Sequence, residues 1–284
     1  MLDSAKYDPH VPKKVEDLIG NNELWANLKK QICEGTASHI VLDGPPGCGK
    51  SLFLRLVLSG FHTLRIDCTA NSGLRDVRDM LHNFARGSRS PDGRHRWVVL
   101  ERADSLIADT QAFLRRMLET TSGSTRVIFE CRDGGALTEP ILSRCTLFHA
   151  NTPHDTEIVY EIQRRTEFLL PSEQVPLLCE MSFGNVRLAI QNALAIRWCG
   201  TSAPNGLVYD LLKKRPSDAD EKAWMLWAID TESACRINGI DLRDVLRHGW
   251  KLHPIVTNIC STWSRLGGTS SRTLFFDAIH ALRG

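Results

Sequence analysis

Residues 44–51 have the residue types and the spacing of a phosphate-binding loop. They read GPPGCGKS and fill the pattern G-x-x-x-x-G-K-[ST], between an apolar run at 40–42 and an apolar segment at 52–58. Glycines let successive N–H groups point at one anion, and a following helix N-terminus adds partial positive charge. Lys50 offers a point charge for the outer phosphates, and Ser51 offers a hydroxyl for Mg²⁺. The sequence therefore predicts a nucleotide site; a loop that keeps the fold without a ligand is the alternative. Its predicted residues are Gly44, Pro45, Pro46, Gly47, Cys48, Gly49, Lys50, Ser51 and Leu52.

Two further groups of residues are candidates to complete this site. Residues 97–100 form an apolar run that ends in Glu101, where a P-loop ATPase carries an acid that reaches Mg²⁺. Ser51 and Glu101 are therefore the predicted metal ligands. Near the start of the chain, Tyr7 and Pro9 are candidates to line an adenine pocket, although packing against the P-loop domain is equally compatible with them.

Strands and helices alternate along the first 150 residues. Besides the strand before the phosphate loop, the residue pattern predicts strands at 62–67, 97–100, 125–130 and 145–149. Helical patterns separate most of them, which predicts an α/β fold with a parallel sheet covered on both faces. From residue 151 onward no strand is predicted. The pattern there indicates helices at 154–168, 172–182 and 185–198, a linker at 200–206 and an all-helical segment at 207–284.

Length and composition restrict the class of protein. The chain has 284 residues, enough for one large domain or two to three small ones, and 42% of them are hydrophobic. Nine cysteines occur without a C-x-x-C pair, which favours reduced thiols in an intracellular protein over a zinc site. Neither a signal peptide nor a membrane span is predicted from the apolar runs. The net charge of +2 is weak, so any nucleic-acid contact must come from a local basic face.

The order of the motifs resembles the small subunits of the replication factor C type of sliding-clamp loader, a branch of the AAA+ ATPases. Besides the phosphate loop, the resemblance lies in KYDP at 6–9, ADSLIADTQAFLRRMLE at 103–119, SRC at 143–145 and GNVRLA at 184–189. The family forms of these segments are K-Y-R-P, A-D-S-M-T-x-D-A-Q-x-A-L-R-R-x-M-E, S-R-C and G-D-M-R-K-A. The resemblance covers residue 5 to about residue 200. Beyond it, no motif matches.

The resemblance implies a domain organisation. An AAA+ nucleotide-binding domain with a five-stranded parallel sheet is expected at 1–150, followed by a small helical lid at 151–203. The lid carries Arg187 at the position of the sensor 2 arginine, a nucleotide contact. An all-α collar for ring assembly is expected at 204–284 from position alone.

Ligands and partners are also implied by the resemblance. They are ATP or ADP with Mg²⁺, the other subunits of a hetero-pentamer, a sliding clamp and primer–template DNA, with no membrane. The expected location is intracellular, and nuclear if the source is eukaryotic. Arg78, Arg115 and Arg116 match helices whose family counterparts contact the DNA backbone, although solvent-facing or interface arginines are equally compatible. The family's second basic position falls on Ser72 and is therefore missing.

Two positions depart from the pattern of an active hydrolase. The family's D-E-A-D places Glu101 at the Mg²⁺-directing acid and Arg102 at the water-activating glutamate. Arginine cannot accept a proton, and a positioned general base is typically worth ~10²–10⁴ in rate. At sensor 1, Arg132 replaces an asparagine that follows a cysteine, which favours contact with the γ-phosphate over orientation of water. We therefore expect nucleotide binding with weak or absent hydrolysis at this chain's own site.

Arg144 of the S-R-C segment is retained. In clamp loaders this arginine points across an interface to the nucleotide of the neighbouring subunit, and such a finger is worth ~10³–10⁵ in kcat. We therefore expect a chain that completes a neighbour's site. One alternative is a competent DNA-stimulated ATPase that uses Glu101 as its base. Another is a different AAA+ machine, such as a branch-migration helicase.

Overall fold

The structure, a computed structural model, forms two compact units, Met1–Thr152 and Pro153–Gly284. It describes residues 11–69, 74–85, 90, 93–121, 123–167, 170, 174–182, 184–199, 221–237 and 242.

The first unit contains a five-stranded parallel sheet, which confirms the predicted α/β fold. Its strands are β1 (His39–Asp43), β2 (Thr63–Asp67), β3 (Arg96–Glu101), β4 (Thr125–Glu130) and β5 (Cys145–His149). Their order in the sheet is β2-β3-β4-β1-β5, and every neighbouring pair is parallel. The strand that precedes the phosphate loop, β1, thus lies between β4 and β5.

Helices cover both faces of this sheet. The bounds are α1 (Asn22–Glu34), α2 (Lys50–Val57), α3 (Leu74–Ala85), α4 (Ala108–Thr121) and α5 (Glu139–Leu142). Ile40 and Leu42 of β1 are buried in a cluster with residues of α1 and α2. Val41 is buried in a second cluster with residues of α3 and α4. Successive strand side chains point to opposite faces, so the unbroken apolar run of β1 is what a strand buried on both sides requires.

The second unit is helical wherever the structure describes it. Its helices are α6 (Asp155–Arg165), α7 (Gln174–Met181), α8 (Val186–Cys199) and α9 (Glu221–Ile237). Helices α6, α7 and α8 pack against one another, and Glu161 of α6 is buried with hydrogen bonds from Arg164 and Arg165. Among the described helices, none is both long and apolar enough to cross a membrane. The predicted linker and most of the predicted collar lie outside the described residues, so the collar stays a prediction.

Candidate nucleotide-binding site

The candidate site lies where the strands of the parallel sheet end. Residues 44–49 connect β1 to α2, which begins at Lys50. Ligands of open parallel sheets bind in the crevice at the carboxyl ends of the strands, and a helix N-terminus there favours an anion. The sequence-predicted phosphate loop therefore occupies the position in which such a loop can act.

All three glycines of the loop have conformations that other residues rarely adopt, with φ +140° at Gly44, +79° at Gly47 and +102° at Gly49. A Cβ added at Gly44 would lie 2.2 Å from the carbonyl oxygen of Ala150, next to the end of β5. No heavy atom of the described residues lies within 4 Å of a Cβ added at Gly49. Gly44 thus provides close approach between two strand ends, whereas Gly49 provides the left-handed backbone that starts α2.

Lys50 is held inside the loop. Its Nζ donates hydrogen bonds to the carbonyl oxygens of Gly44, at 2.7 Å, and Pro45, at 2.8 Å. The side chain is only 6% exposed. A buried ammonium must be satisfied, and the loop's own carbonyls do this here. These hydrogen bonds fix the ammonium beside the loop amides, where its positive charge would attract a bound phosphate.

Ser51 contacts an acidic residue that the sequence analysis did not assign to the site. Its hydroxyl donates a hydrogen bond to Oε1 of Glu130, the last residue of β4. Glu130 is 7% exposed, and its Oε2 has no hydrogen-bond partner among the described residues. Burial raises the pKa of this carboxyl above its usual range. The sequence does carry a signal, namely a charged residue that directly follows the apolar run 127–129.

Glu101, predicted as a magnesium ligand, makes an ion pair. Its Oε1 accepts a hydrogen bond from Nη1 of Arg65 on β2 at 3.1 Å, and both side chains are about a quarter exposed. Nη2 of the same arginine donates to the carbonyl of Leu54 in α2 at 2.8 Å. The carboxylate therefore shares its charge with a fixed guanidinium. Its role toward a metal ion stays a prediction.

Arg102 directly follows the last residue of β3 and has a left-handed backbone conformation, with φ 57° and ψ 46°. Its Nη2 donates to Oδ2 of Asp67, the last residue of β2. Oδ1 of that aspartate accepts from both the backbone N–H and the hydroxyl of Thr69. The position predicted to lack a general base thus holds a guanidinium whose charge is balanced by the neighbouring strand end.

Arg132 follows β4 after Cys131. Its backbone N–H donates to Oδ1 of Asp104 at 3.2 Å, and its side chain is half-buried. Cys131 is buried, which raises the pKa of its thiol far above the usual range. The cysteine is therefore a neutral core residue. Contact between Arg132 and a phosphate stays a prediction.

Arg144, the predicted finger, lies at the surface of its own unit. Its Nε donates to Oε1 of Glu119 at 2.8 Å, and its Nη1 donates to the carbonyl of Pro140 at 2.7 Å. The side chain remains 30% exposed. Arg115 approaches the same Glu119 carboxylate at 3.9 Å. Glu119 thus holds the guanidinium in place without burying it.

The arginines predicted to contact DNA lie on two packed helices. Arg78 of α3 is exposed, and its guanidinium lies over the ring of Phe113 of α4, 5.3 Å from the ring centroid. Arg116 is exposed and lies three residues after Phe113, on the same helical face. Arg115 is also exposed. Sequence spacing alone did not indicate that Arg78 of α3 lies over an aromatic ring of α4.

Several predicted site residues are not brought into this site by the structure. Tyr7, Pro9 and Ser72 lie outside the described residues. Arg187, the predicted sensor 2 arginine, is exposed in the first turn of α8 in the second unit. These nucleotide-binding assignments stay predictions.

The chain is similar to replication factor C subunits of eukaryotes and archaea. It is 32% identical over 203 residues to Replication factor C subunit 2 of Arabidopsis thaliana, which covers 66% of this chain and 60% of the relative. It is 28% identical over 270 residues to Replication factor C subunit 4 of Schizosaccharomyces pombe, with 89% and 76% covered. A small subunit of Haloarcula marismortui is 27% identical over 212 residues, with 71% and 65% covered. The chain thus spans less than two thirds of the length of several of these relatives.

Among the solved structures that resemble the chain are mutants of one protein, RuvB. One mutant of Thermotoga maritima RuvB superimposes with a TM-score of 0.55 at 15% identity, covering 93% of this chain and 87% of that one. A second mutant of the same protein gives a TM-score of 0.54 at 16% identity, covering 86% and 81%. At this level of identity the likeness concerns the fold alone, and no family model matches the sequence. The chain therefore has an α/β fold with a five-stranded parallel sheet and is similar in sequence to replication factor C subunits.

Proposed function

We propose that this chain is a small subunit of a sliding-clamp loader that binds ATP with Mg²⁺ and acts mainly on a neighbouring subunit's site. In this role it assembles with other clamp-loader subunits and helps to place a ring clamp on primer–template DNA during replication or repair. The observation that carries the proposal is the phosphate loop, with Lys50 and Ser51 at the start of α2 and at the carboxyl edge of the sheet. The similarity to proteins named replication factor C supports the clamp-loader part of the proposal.

Weak hydrolysis at the chain's own site is supported by the charges on β2 and β3. Arg102 pairs with Asp67, so the position that carries the water-activating glutamate in the family holds a guanidinium here. Glu101, the alternative base, pairs with Arg65. Oε1 of Glu101 accepts a hydrogen bond from that guanidinium, which the carbonyl of Leu54 also holds in place. The alternative of a competent ATPase that uses Glu101 is therefore disfavoured.

The trans role of Arg144 is supported by its exposure and its tether. A finger must reach solvent and must also be held, because an unrestrained arginine side chain loses rotamer entropy when it docks. The hydrogen bonds to Glu119 and Pro140 restrain it, while part of the guanidinium stays accessible. The exposed pair with Glu119 is worth only about 0–1 kcal/mol, so a neighbour's phosphates can displace it.

DNA contact is proposed for the face formed by Arg78 and Arg116 around Phe113. Arg78, which lies over the Phe113 ring, and the exposed Arg116 on the same helix as that ring both present positive charge to solvent. Such a face suits the phosphate backbone, whose contacts carry no sequence information. Arg115 adjoins it on α4. Each phosphate contact releases counterions, so the affinity of such contacts should fall with added salt.

The test uses the chain with its natural partners. The tagged chain is purified from its own source, the subunits are counted by native mass spectrometry, and assemblies with Lys50→Ala or Arg144→Ala are compared with wild type. We expect a pentamer that associates with a ring clamp. Lys50→Ala should remove one bound nucleotide per assembly. Arg144→Ala should keep the nucleotide count and lower the rate at one neighbouring site by about 10³–10⁵-fold. Arg55→Ala changes an exposed arginine of α2 and serves as the matched control.

Three outcomes would contradict the proposal. Failure of wild type to bind nucleotide would remove its basis. Loss of nucleotide with Arg144→Ala, and unchanged hydrolysis, would assign that residue to its own unit. Hexamers that bind no clamp would favour a different AAA+ machine.

A further inference from the structure

Glu130 has no role in the function proposed so far, yet it is the acid that contacts the phosphate loop. The order β3-β4-β1 places β4 directly beside the strand that carries the loop, whereas β3 is one strand further away. Neighbouring strands lie about 4.8 Å apart, so an acid at the end of β4 starts closer to Ser51 than one at the end of β3. In register, Glu130 stands between Leu42 of β1 and Glu101 of β3.

The hydrogen bond between Ser51 and Glu130 runs from the hydroxyl to the carboxylate, as a cation site at Ser51 requires. The serine hydroxyl donates its proton to Glu130 Oε1, which leaves the lone pairs of the serine oxygen available to a metal ion. In P-loop NTPases the cation is held by this hydroxyl together with an acid at a strand end. Here the acid that meets the hydroxyl is Glu130.

The second carboxylate oxygen supplies an independent observation. Glu130 is only 7% exposed, and Oε2 has no hydrogen-bond partner among the described residues. Burial of a carboxylate oxygen without a partner costs free energy, which a ligand that contacts this oxygen would offset. Glu101, by contrast, already has the Arg65 guanidinium as its partner. Divalent cations such as Mg²⁺ take carboxylate oxygens as ligands, and Ser51 beside Glu130 is the other predicted ligand.

We propose that Glu130, rather than Glu101, is the carboxylate that holds the divalent cation of the bound nucleotide together with Ser51. The acid that serves the metal has thus moved from β3 to β4 in this chain. This inference rests on the proposed nucleotide binding.

The experiment measures metal dependence, with no need for hydrolysis. The affinity of the full chain for a fluorescent ATP analogue is titrated with Mg²⁺ and measured separately in EDTA, for wild type, Glu130→Gln and Glu101→Gln. Glutamine keeps the volume and the acceptor for Ser51 but loses the charge. We expect Glu130→Gln to raise the Mg²⁺ concentration at half effect by at least about 10–100-fold, which is the loss typical of groups that only orient a metal ligand. Its affinity in EDTA should be unchanged or higher, and Glu101→Gln should change the Mg²⁺ requirement by less than about 3-fold.

Two further measurements keep the inference falsifiable. Electron paramagnetic resonance with Mn²⁺ in place of Mg²⁺ should show loss of nucleotide-dependent metal binding in Glu130→Gln. Circular dichroism checks that each variant is folded. If Glu130→Gln does not fold, Glu130→Asp takes its place, because aspartate keeps the charge on a shorter side chain and should retain part of the metal binding.

The inference is overturned if Glu130→Gln weakens binding equally with Mg²⁺ and in EDTA, or if Glu101→Gln alone raises the Mg²⁺ requirement. Failure of wild type to bind nucleotide under either condition would instead refute the proposed function, and this inference with it.

Discussion

Restoring a carboxylate at the end of β3 tests whether the missing base limits hydrolysis. The variant is Arg102→Glu combined with Asp67→Asn. Arg102→Glu alone would place two carboxylates where the structure has an ion pair. Asparagine at 67 removes that repulsion, offers an N–H to the new carboxylate and keeps the Oδ1 acceptor for Thr69. The double variant therefore reverses the donor and the acceptor across the two strand ends.

The structural cost of this exchange should be small. The side chains of Arg102 and Asp67 are 44% and 35% exposed, and ion pairs at such exposure are worth about 0.2–1 kcal/mol. The left-handed backbone at 102 is already occupied by a residue with a Cβ, so glutamate adds no new strain there. The expected gain is larger, since a positioned general base contributes ~10²–10⁴ in rate, or about 3–5 kcal/mol of barrier.

The assay is single-turnover hydrolysis, with the chain in excess over radiolabelled ATP and Mg²⁺ present. We expect the double variant to exceed wild type by ~10²–10⁴ and the single Arg102→Glu variant to gain less. Arg102→Gln with Asp67→Asn is the isosteric control and should gain nothing. Addition of Lys50→Ala should abolish the gained rate.

An unchanged rate in the double variant would refute this reasoning, provided that its affinity for nucleotide and its folding match those of wild type. The absence of a base at residue 102 would then not be what limits this site.

Two further predictions concern stability. Gly44→Ala should lower the free energy of unfolding more than Gly49→Ala in denaturant titrations. Gly49→Ala adds only backbone strain of about 1–3 kcal/mol, whereas the new Cβ of Gly44→Ala also overlaps the Ala150 carbonyl. Equal losses would show that the close approach at Gly44 does not matter. Burial lowers the pKa of His39 to about 4, and its Nδ1 accepts from the Val127 N–H, so the unfolded chain binds more protons between pH 6.5 and 4. Stability should therefore fall as the pH falls through that range, and His39→Gln should flatten the dependence measured by unfolding at pH 7 and pH 5.

The strands and turns of the fold could be predicted because each is specified within a short stretch of sequence. The apolar run of β1 and the glycine spacing at 44–49 fix a buried strand and a tight turn, and the structure confirms the strand and its parallel sheet. Strand order is different, because it depends on long-range packing that the residue pattern does not encode. That order decides which strand-end acid lies beside the phosphate loop, which is why Glu130 was missed.

Side-chain pairing was the other property that the sequence could not supply. Arg102 was identified as the wrong residue for a base, yet its partner Asp67 is 35 positions away and on another strand. Arg144 was identified from its signature, but its tether to Glu119 joins a helix end to α4. Such pairs form only once the sheet has brought distant segments together.

The balance of charge along the carboxyl edge of the sheet favours holding a nucleotide over cleaving it. Three of the described acids at this edge have basic partners, since Asp67 faces Arg102, Glu101 faces Arg65 and Asp43 faces His149. Among the described residues, Glu130 has the Ser51 hydroxyl as its hydrogen-bond partner and one carboxylate oxygen without a partner. A cation would therefore be drawn to Glu130, while Asp67 and Glu101 at the ends of β2 and β3 already pair with arginines. This distribution of charge supports the proposed binding of a metal–nucleotide complex with weak hydrolysis at the same site.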